Sequence, residues 1–148
     1  MSSAADVLPQ DLRALWDAAC AVQGEFVLSR KYTAGSVAAA LRARGGRVYT
    51  GLCLEVACGI GFCAEHAAVA EMLKDRETVV EAVVAVKQGG RIVSPCGRCR
   101  ELLLQISPAN ADCCIALGPT RTVRLGDLLP AHWLAEKDAT DPDEPRSA

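Results

Sequence analysis

Two cysteine-bearing fragments constrain this chain more than anything else in it: Cys63-Ala64-Glu65 and Pro95-Cys96-Gly97-Arg98-Cys99. Each opens a segment of good helix formers. Residues 64–74 carry apolar side chains at Ala67, Ala68, Ala70 and Leu73, which predicts a helix beginning at Cys63. A second helix is predicted to start within 95–99 and run to about residue 106. A Cys-x-x-Cys pair at a helix start brings both sulfurs to one side of the first turn, where zinc–sulfur bonds of about 2.3 Å can form at a single ion. With Cys63 as third ligand, two helix N-termini must converge on one point, and their partial positive ends together with the metal favour thiolate over thiol.

Three protein ligands leave the fourth tetrahedral position open, which a catalytic zinc requires and a structural zinc does not. A zinc ion held this way can bring the pKa of a water toward about 7. Glu65, two positions after a ligand and not itself a ligand, is placed to take that water's proton and hand it on. Two other readings of the same cysteines stay open at this point. One is a closed zinc site completed by Cys58 or His66; the other is a thioredoxin-like redox pair at Cys96 and Cys99, which would leave Cys63-Ala64-Glu65 without a role. Of the eight cysteines, Cys20, Cys113 and Cys114 sit in apolar surroundings that predict buried, inert thiols.

Length and charge narrow the class of partner. The 148 residues are one domain's worth, expected as a single domain over 1–137 followed by a disordered acidic tail over 138–148. A net charge of −2 gives no reason to expect a nucleic-acid partner, because affinity for a phosphate backbone comes from clustered Lys and Arg. Arg91, Arg98 and Arg100 leave room for a substrate phosphate, although such arginines more often pair with carboxylates such as Glu101. No apolar run approaches the roughly 18 residues of a membrane span, and residues 1–10 lack a signal-peptide pattern. The expectation is a cytoplasmic protein with no membrane partner and a small-molecule substrate.

Along the chain, Pro9 followed by Leu12, Leu15, Trp16, Ala19 and Val22 predicts an amphipathic helix closed by Gly24. Apolar runs at 36–41 and 47–56 around Arg42-Ala43-Arg44-Gly45-Gly46 predict a β-hairpin. Strands are predicted at 79–86, 113–117 and 122–125, and a last helical turn at 126–136. The order α, β, β, α, β, α, β, β, α describes a layered α/β domain.

Over about residues 32–133 the chain resembles the small tetrameric cytidine deaminases and, similarly, the blasticidin S deaminases. The resemblance rests on Gly51-x-Cys53-x-Glu55, Cys63-Ala64-Glu65, Ser94-Pro95-Cys96-Gly97-Arg98-Cys99-Arg100-Glu101 and Leu128-Leu129-Pro130. Zinc deaminases combine His/Cys/Cys or three Cys ligands with a neighbouring Glu that serves as acid and base. The resemblance implies a three-layer cytidine deaminase-like fold, with a five-stranded mixed sheet between helices, and one Zn2+ per subunit. It also implies a homotetramer whose sites borrow residues across subunit contacts. The reaction it implies is hydrolytic deamination of the 4-amino group of cytidine or deoxycytidine. Alternatives are blasticidin S or another modified cytosine nucleoside, or a catalytically weak zinc protein that binds a nucleoside.

Two positions depart from the family pattern. Where cytidine deaminases carry Asn and Glu to hold the ribose hydroxyls, this chain has Cys53 and Glu55, and a thiol is a weak donor and acceptor. Where an Arg follows the catalytic Glu and hydrogen-bonds the zinc thiolates, this chain has His66, expected either to donate to a thiolate or to pack within the helix. The resemblance further implies a backbone contact from Ala64 to the base, and aromatic packing around the pyrimidine for which Tyr32 and Trp133 are the nearest candidates.

Overall fold

Apolar residues on both faces of the central strands dictate a sheet buried from both sides. The structure, a computed structural model, describes residues 7–135. Strand β2 (Thr33–Ala43) turns Leu41 and Ala43 to one core and Ala38 and Ala40 to the other, and β4 (Val80–Lys87) divides Val83 from Ala82, Val84 and Val86 in the same way. Val80 joins the first core because the pairing with β2 slips by one residue between Arg42 and Ala43.

Helix α1 (Gln10–Val22) covers one face with Leu12, Leu15 and Ala19, and Trp16 Nε1 donates to the Gly90 carbonyl at 2.8 Å. Helices α2 (Ala64–Lys74) and α3 (Gly97–Ile106) cover the other with Ala68, Val69 and Met72, and with Leu103 and Leu104. The short helix α4 (Leu125–Leu128) adds Leu125 to that layer. The result is the three-layer α/β arrangement expected of the sequence.

The hairpin forms between β2 and β3 (Val48–Glu55). Strand β6 (Cys114–Gly118) runs parallel to β4, with α3 lying between them in the chain, and pairs antiparallel with β7 (Arg121–Arg124), so the sheet is mixed. Two further strands bring the total among the described residues to seven rather than five: β1 (Phe26–Val27) beside β2 and β5 (Arg91–Val93) beside β4. Two and three residues are too short to show a period, which is why neither was legible in the sequence.

Two local expectations are corrected. The buried stripe of α2 is Ala64, Glu65, Ala68, Val69 and Met72, whereas Ala70 and Leu73 face outward. An alanine-rich helix is apolar nearly all round, so its periodicity left the facing direction open. The final helix stops at Leu128, and Pro130, which has no N–H to donate, follows in irregular chain. The acidic tail expected over 138–148 lies outside the described residues.

Asn110 ties the layers together. It is fully buried in a 3-10 turn, accepts from Val80 N at 2.7 Å, and donates through Nδ2 to the carbonyls of Leu103 at 2.8 Å and Thr78 at 3.1 Å. These bonds join the end of α3 to the start of β4 and satisfy groups that cost about 1–3 kcal/mol each if orphaned. Replacing Asn110 with Ala should cost about 2–4 kcal/mol in urea unfolding, as a lower midpoint at unchanged slope; a change below 1 kcal/mol would show that the turn holds without it.

Candidate metal centre and pocket

Cys63 and Cys96 occupy the residue before the first turn of α2 and α3, each with an extended backbone, so both thiols stand at a helix head. Cys63 Sγ lies 3.6 Å from Cys96 Sγ, and Cys96 Sγ lies 3.5 Å from Cys99 Sγ. All three fall within 4.8 Å of one another. A disulfide needs about 2.05 Å. Three sulfurs bonded tetrahedrally to one zinc at about 2.3 Å would stand about 3.8 Å apart, so the three thiols are unbridged and their spacing fits the ion, with a third sulfur for which a two-cysteine redox pair has no use. Among the described residues, the group includes neither Cys58 nor His66.

The sulfurs differ in their surroundings. Burial raises the pKa of Cys63 and, still more, of Cys99, which is fully enclosed. At Cys96 burial also pushes upward, but the backbone N–H groups of Cys99 and Arg98 and the neighbouring thiols outweigh it, and the net shift is downward. Those N–H groups are the unpaired donors of the α3 first turn, the part of a helix that stabilises negative charge. Of the three sulfurs, Cys96 is thus the one whose surroundings favour the thiolate form over an ordinary thiol. Cys113, buried under the sheet, is pushed up to about 12 by burial and is an inert thiol.

Arg100 holds the second fragment in shape. Its guanidinium donates to the Pro95 carbonyl at 2.9 Å, to Ser94 Oγ at 3.2 Å and to the Leu128 carbonyl at 3.3 Å, so it anchors the loop before α3 to the C-terminal segment. It is therefore committed to structure. On the other side, Gly51 of β3 fixes the approach of α2: a Cβ there would fall on the backbone N of Ala68 and the carbonyl of Ala64.

Beside the sulfurs lies a pocket of about 400 Å³ whose walls include Glu65, Ala64, Cys53, Glu55, Phe62, Val93 and Arg98. Glu65 is 4% exposed and its pKa is raised, chiefly by burial and partly offset by its own backbone N–H and the Cys99 thiol. The structure thus brings Cys53, Glu55, Ala64 and Glu65 together with Cys63 and Cys96 around one space. Cys99, fully buried, does not line it.

Three expected residues stand apart. Tyr32 is half-buried and Trp133 is 71% exposed, and neither lines the pocket. His66 makes no hydrogen bond through Nε2, which is buried and unpaired among the described residues, and its pKa is lowered by burial and then by Arg98. Sequence reasoning also missed residues that matter here. Thr33 and Ser36 both donate to the Glu55 carboxylate, and Ser36 and Val37 both contact the Cys53 sulfur. Ser36 and Val37 open the predicted strand and Thr33 lies three residues before it, where nothing in the pattern marks them.

With the geometry established, the comparisons with known proteins are informative. Residues 10–114 match the family described as the cytidine and deoxycytidylate deaminase zinc-binding region. A cytidine deaminase of Mycobacterium tuberculosis is 37% identical over 100 residues, 67% of this chain and 73% of the relative. A blasticidin-S deaminase of Bacillus cereus is 30% identical over 109 residues, 66% of this chain and 76% of the relative. The crystal structure of cytidine deaminase from Mycobacterium tuberculosis superposes with a TM-score of 0.71 at 33% identity, covering 84% of this chain and 98% of that one.

Two outcomes are expected of this site. Metal analysis should find one zinc per chain, and Cys99→Ser should lose most of it; full retention by that variant would remove Cys99 from the ligand set. In the metal-free protein, Glu65 holds its proton to higher pH when folded than when unfolded. Stability should therefore fall as pH rises from its ordinary 4.5 toward neutrality, and Glu65→Gln should abolish that slope. Parallel pH–stability curves for the two proteins would contradict the raised carboxyl.

Proposed function

Since the chain belongs to the cytidine and deoxycytidylate deaminase family, we propose that it hydrolyses the 4-amino group of a cytosine nucleoside, releasing ammonia and the uracil nucleoside. The cofactor is zinc, and the residues we assign to it are Cys63, Cys96 and Cys99. When bound, zinc supplies a Lewis acid that makes a water acidic at neutral pH.

The observation that carries the proposal is the buried carboxyl of Glu65, two residues after Cys63 and against the Cys99 thiol. Burial leaves it a readier proton acceptor than an exposed carboxylate, closer to the working pH at which acid–base catalysis is most effective. Glu65 accepts the proton of the attacking water and delivers it to the ring nitrogen as C4 becomes tetrahedral; it then takes the proton of the new C4 hydroxyl and passes it to the amine, which leaves as ammonia when the C4–N bond breaks and the C4 carbonyl forms. Ala64 presents its backbone to the base, and Val93 and Phe62 supply apolar walls. Glu55 receives a sugar hydroxyl at the far end.

Exposed apolar side chains at Phe26, Val27, Leu28, Ile60 and Trp133 support the further reading that the protein is a homotetramer. Tyr32 and Trp133 would then reach a pyrimidine only from a neighbouring subunit. No helix among the described residues is long and apolar enough to cross a membrane, and we place the protein in the cytoplasm. A second substrate, a modified cytosine nucleoside such as blasticidin S, is favoured by one observation: the Cys53 sulfur is engaged by Ser36 and Val37, so the sugar end presents one acid rather than an amide and an acid.

Ammonia release should be measured on cytidine, deoxycytidine, blasticidin S and free cytosine. Turnover of a cytosine nucleoside is expected, and Glu65→Gln should lower kcat by about 10²–10⁴-fold with zinc retained. A zinc-loaded protein inert toward all four would refute the proposal. Light scattering should give four times the 15.6 kDa chain mass; a monomer would overturn the subunit reading.

A further inference from the structure

Between Ala34 and Ala38 strand β2 leaves its register with β3: Ala34 pairs Leu54 and Ala38 pairs Leu52, so three residues, Gly35, Ser36 and Val37, stand opposite Cys53 alone. Such a bulge re-aims side chains and backbone donors that a regular strand would commit to its ladder. Gly35 holds its start, with a φ of +83° and a close approach to the Gly24 carbonyl that leaves no room for a side chain. Gln23 Nε2 reaches the carbonyls of Gly35 and Ser36, tying the bulge to the end of α1.

The bulge delivers two groups to the pocket's far end. Val37 N donates to Cys53 Sγ at 3.2 Å, and Ser36 Oγ lies 3.1 Å from the same sulfur. Ser36 also donates to Glu55 Oε1, while Thr33 Oγ1 donates to Oε2 at 3.1 Å. A hydroxyl carries one proton. With that proton spent on the carboxylate, the thiol is the donor toward Ser36 Oγ at 3.1 Å, and it also lies 4.0 Å from Glu55 Oε1. The hydrogen bonds therefore run from Cys53 toward Glu55, with Ser36 the nearer acceptor between them. Ser36 itself does not line the pocket.

We propose that Ser36 is the positioning residue that sets specificity at the sugar end: it draws the Cys53 thiol away from the ligand and fixes the Glu55 carboxylate as the group that reads a sugar hydroxyl. The inference rests on the reading that this pocket binds a cytosine nucleoside. It goes beyond that reading by assigning recognition to a residue one layer behind the wall. A carboxylate held by two hydroxyls keeps a lone pair for the ligand in a fixed direction, and losing one hydrogen bond to a charged group weakens that fixation substantially.

The test compares ligands with and without the sugar in the zinc-loaded protein. Ser36→Ala should raise KM for cytidine about tenfold with kcat almost unchanged, and leave kcat/KM for 1-methylcytosine as in the parent. Ser36→Thr should restore the parent KM. Thr33→Val, which removes only the more exposed donor, should give a smaller effect of the same selectivity and serves if Ser36→Ala does not fold. An equal loss on both substrates, or none on cytidine, would overturn the assignment. If the parent protein releases no ammonia, the deaminase reading fails by itself. Calorimetric binding of uridine against 1-methyluracil then decides the role of Ser36: weakening confined to uridine supports it, whereas equal weakening, no change or no uridine binding by the parent overturns it.

Discussion

The convergence of two helix N-termini on three sulfurs is the constraint on which the rest of the structure depends. Cys63 and Cys96 sit at the heads of α2 and α3 with their sulfurs 3.6 Å apart, and Cys99 Sγ lies 3.5 Å from Cys96 Sγ. The N–H groups of the α3 first turn favour negative charge on Cys96. Everything else that touches the two helices serves to keep their ends together. Gly51 lets α2 lie close on β3, Arg100 ties the loop before α3 to the C-terminal segment, and Asn110 fixes the far end of α3 to β4.

Two buried polar side chains, Glu65 and Asn110, show opposite solutions to one problem. Asn110 meets backbone partners with both its oxygen and its nitrogen and stabilises the fold. Glu65 lies on the α2 face turned toward the sulfurs, and its enclosure raises its pKa. Burial without full compensation is costly to stability and useful to proton transfer. The same segment that packs Ala64 and Ala68 against the sheet thereby holds a carboxyl in readiness beside a metal site.

Much of this was legible in the sequence, for identifiable reasons. Cys63, Glu65, Cys96 and Cys99 could be read because Cys-x-x-Cys at a helix start and Cys-x-Glu at another leave few geometries. The hairpin was marked by Gly45-Gly46, the layered α/β class followed from the order of elements, and the three-layer form from the family resemblance. The facing direction of α2 was not legible, because alanines on every side erase the stripe. Nor was the support behind Glu55. Ser36 and Thr33 reach it through a bulge, and a bulge in an alanine-rich strand leaves no periodic trace. His66 has a buried nitrogen without a partner among the described residues, and Trp133 is exposed and outside the pocket lining.

The central claim is that this fold holds zinc by three cysteines and keeps one coordination position free for chemistry. X-ray absorption at the zinc edge of the purified protein measures this most directly. Three sulfur neighbours at about 2.3 Å and a single lighter, exchangeable neighbour are the result the structure predicts. Four sulfurs, or three sulfurs with an imidazole, would describe a closed structural site and contradict it.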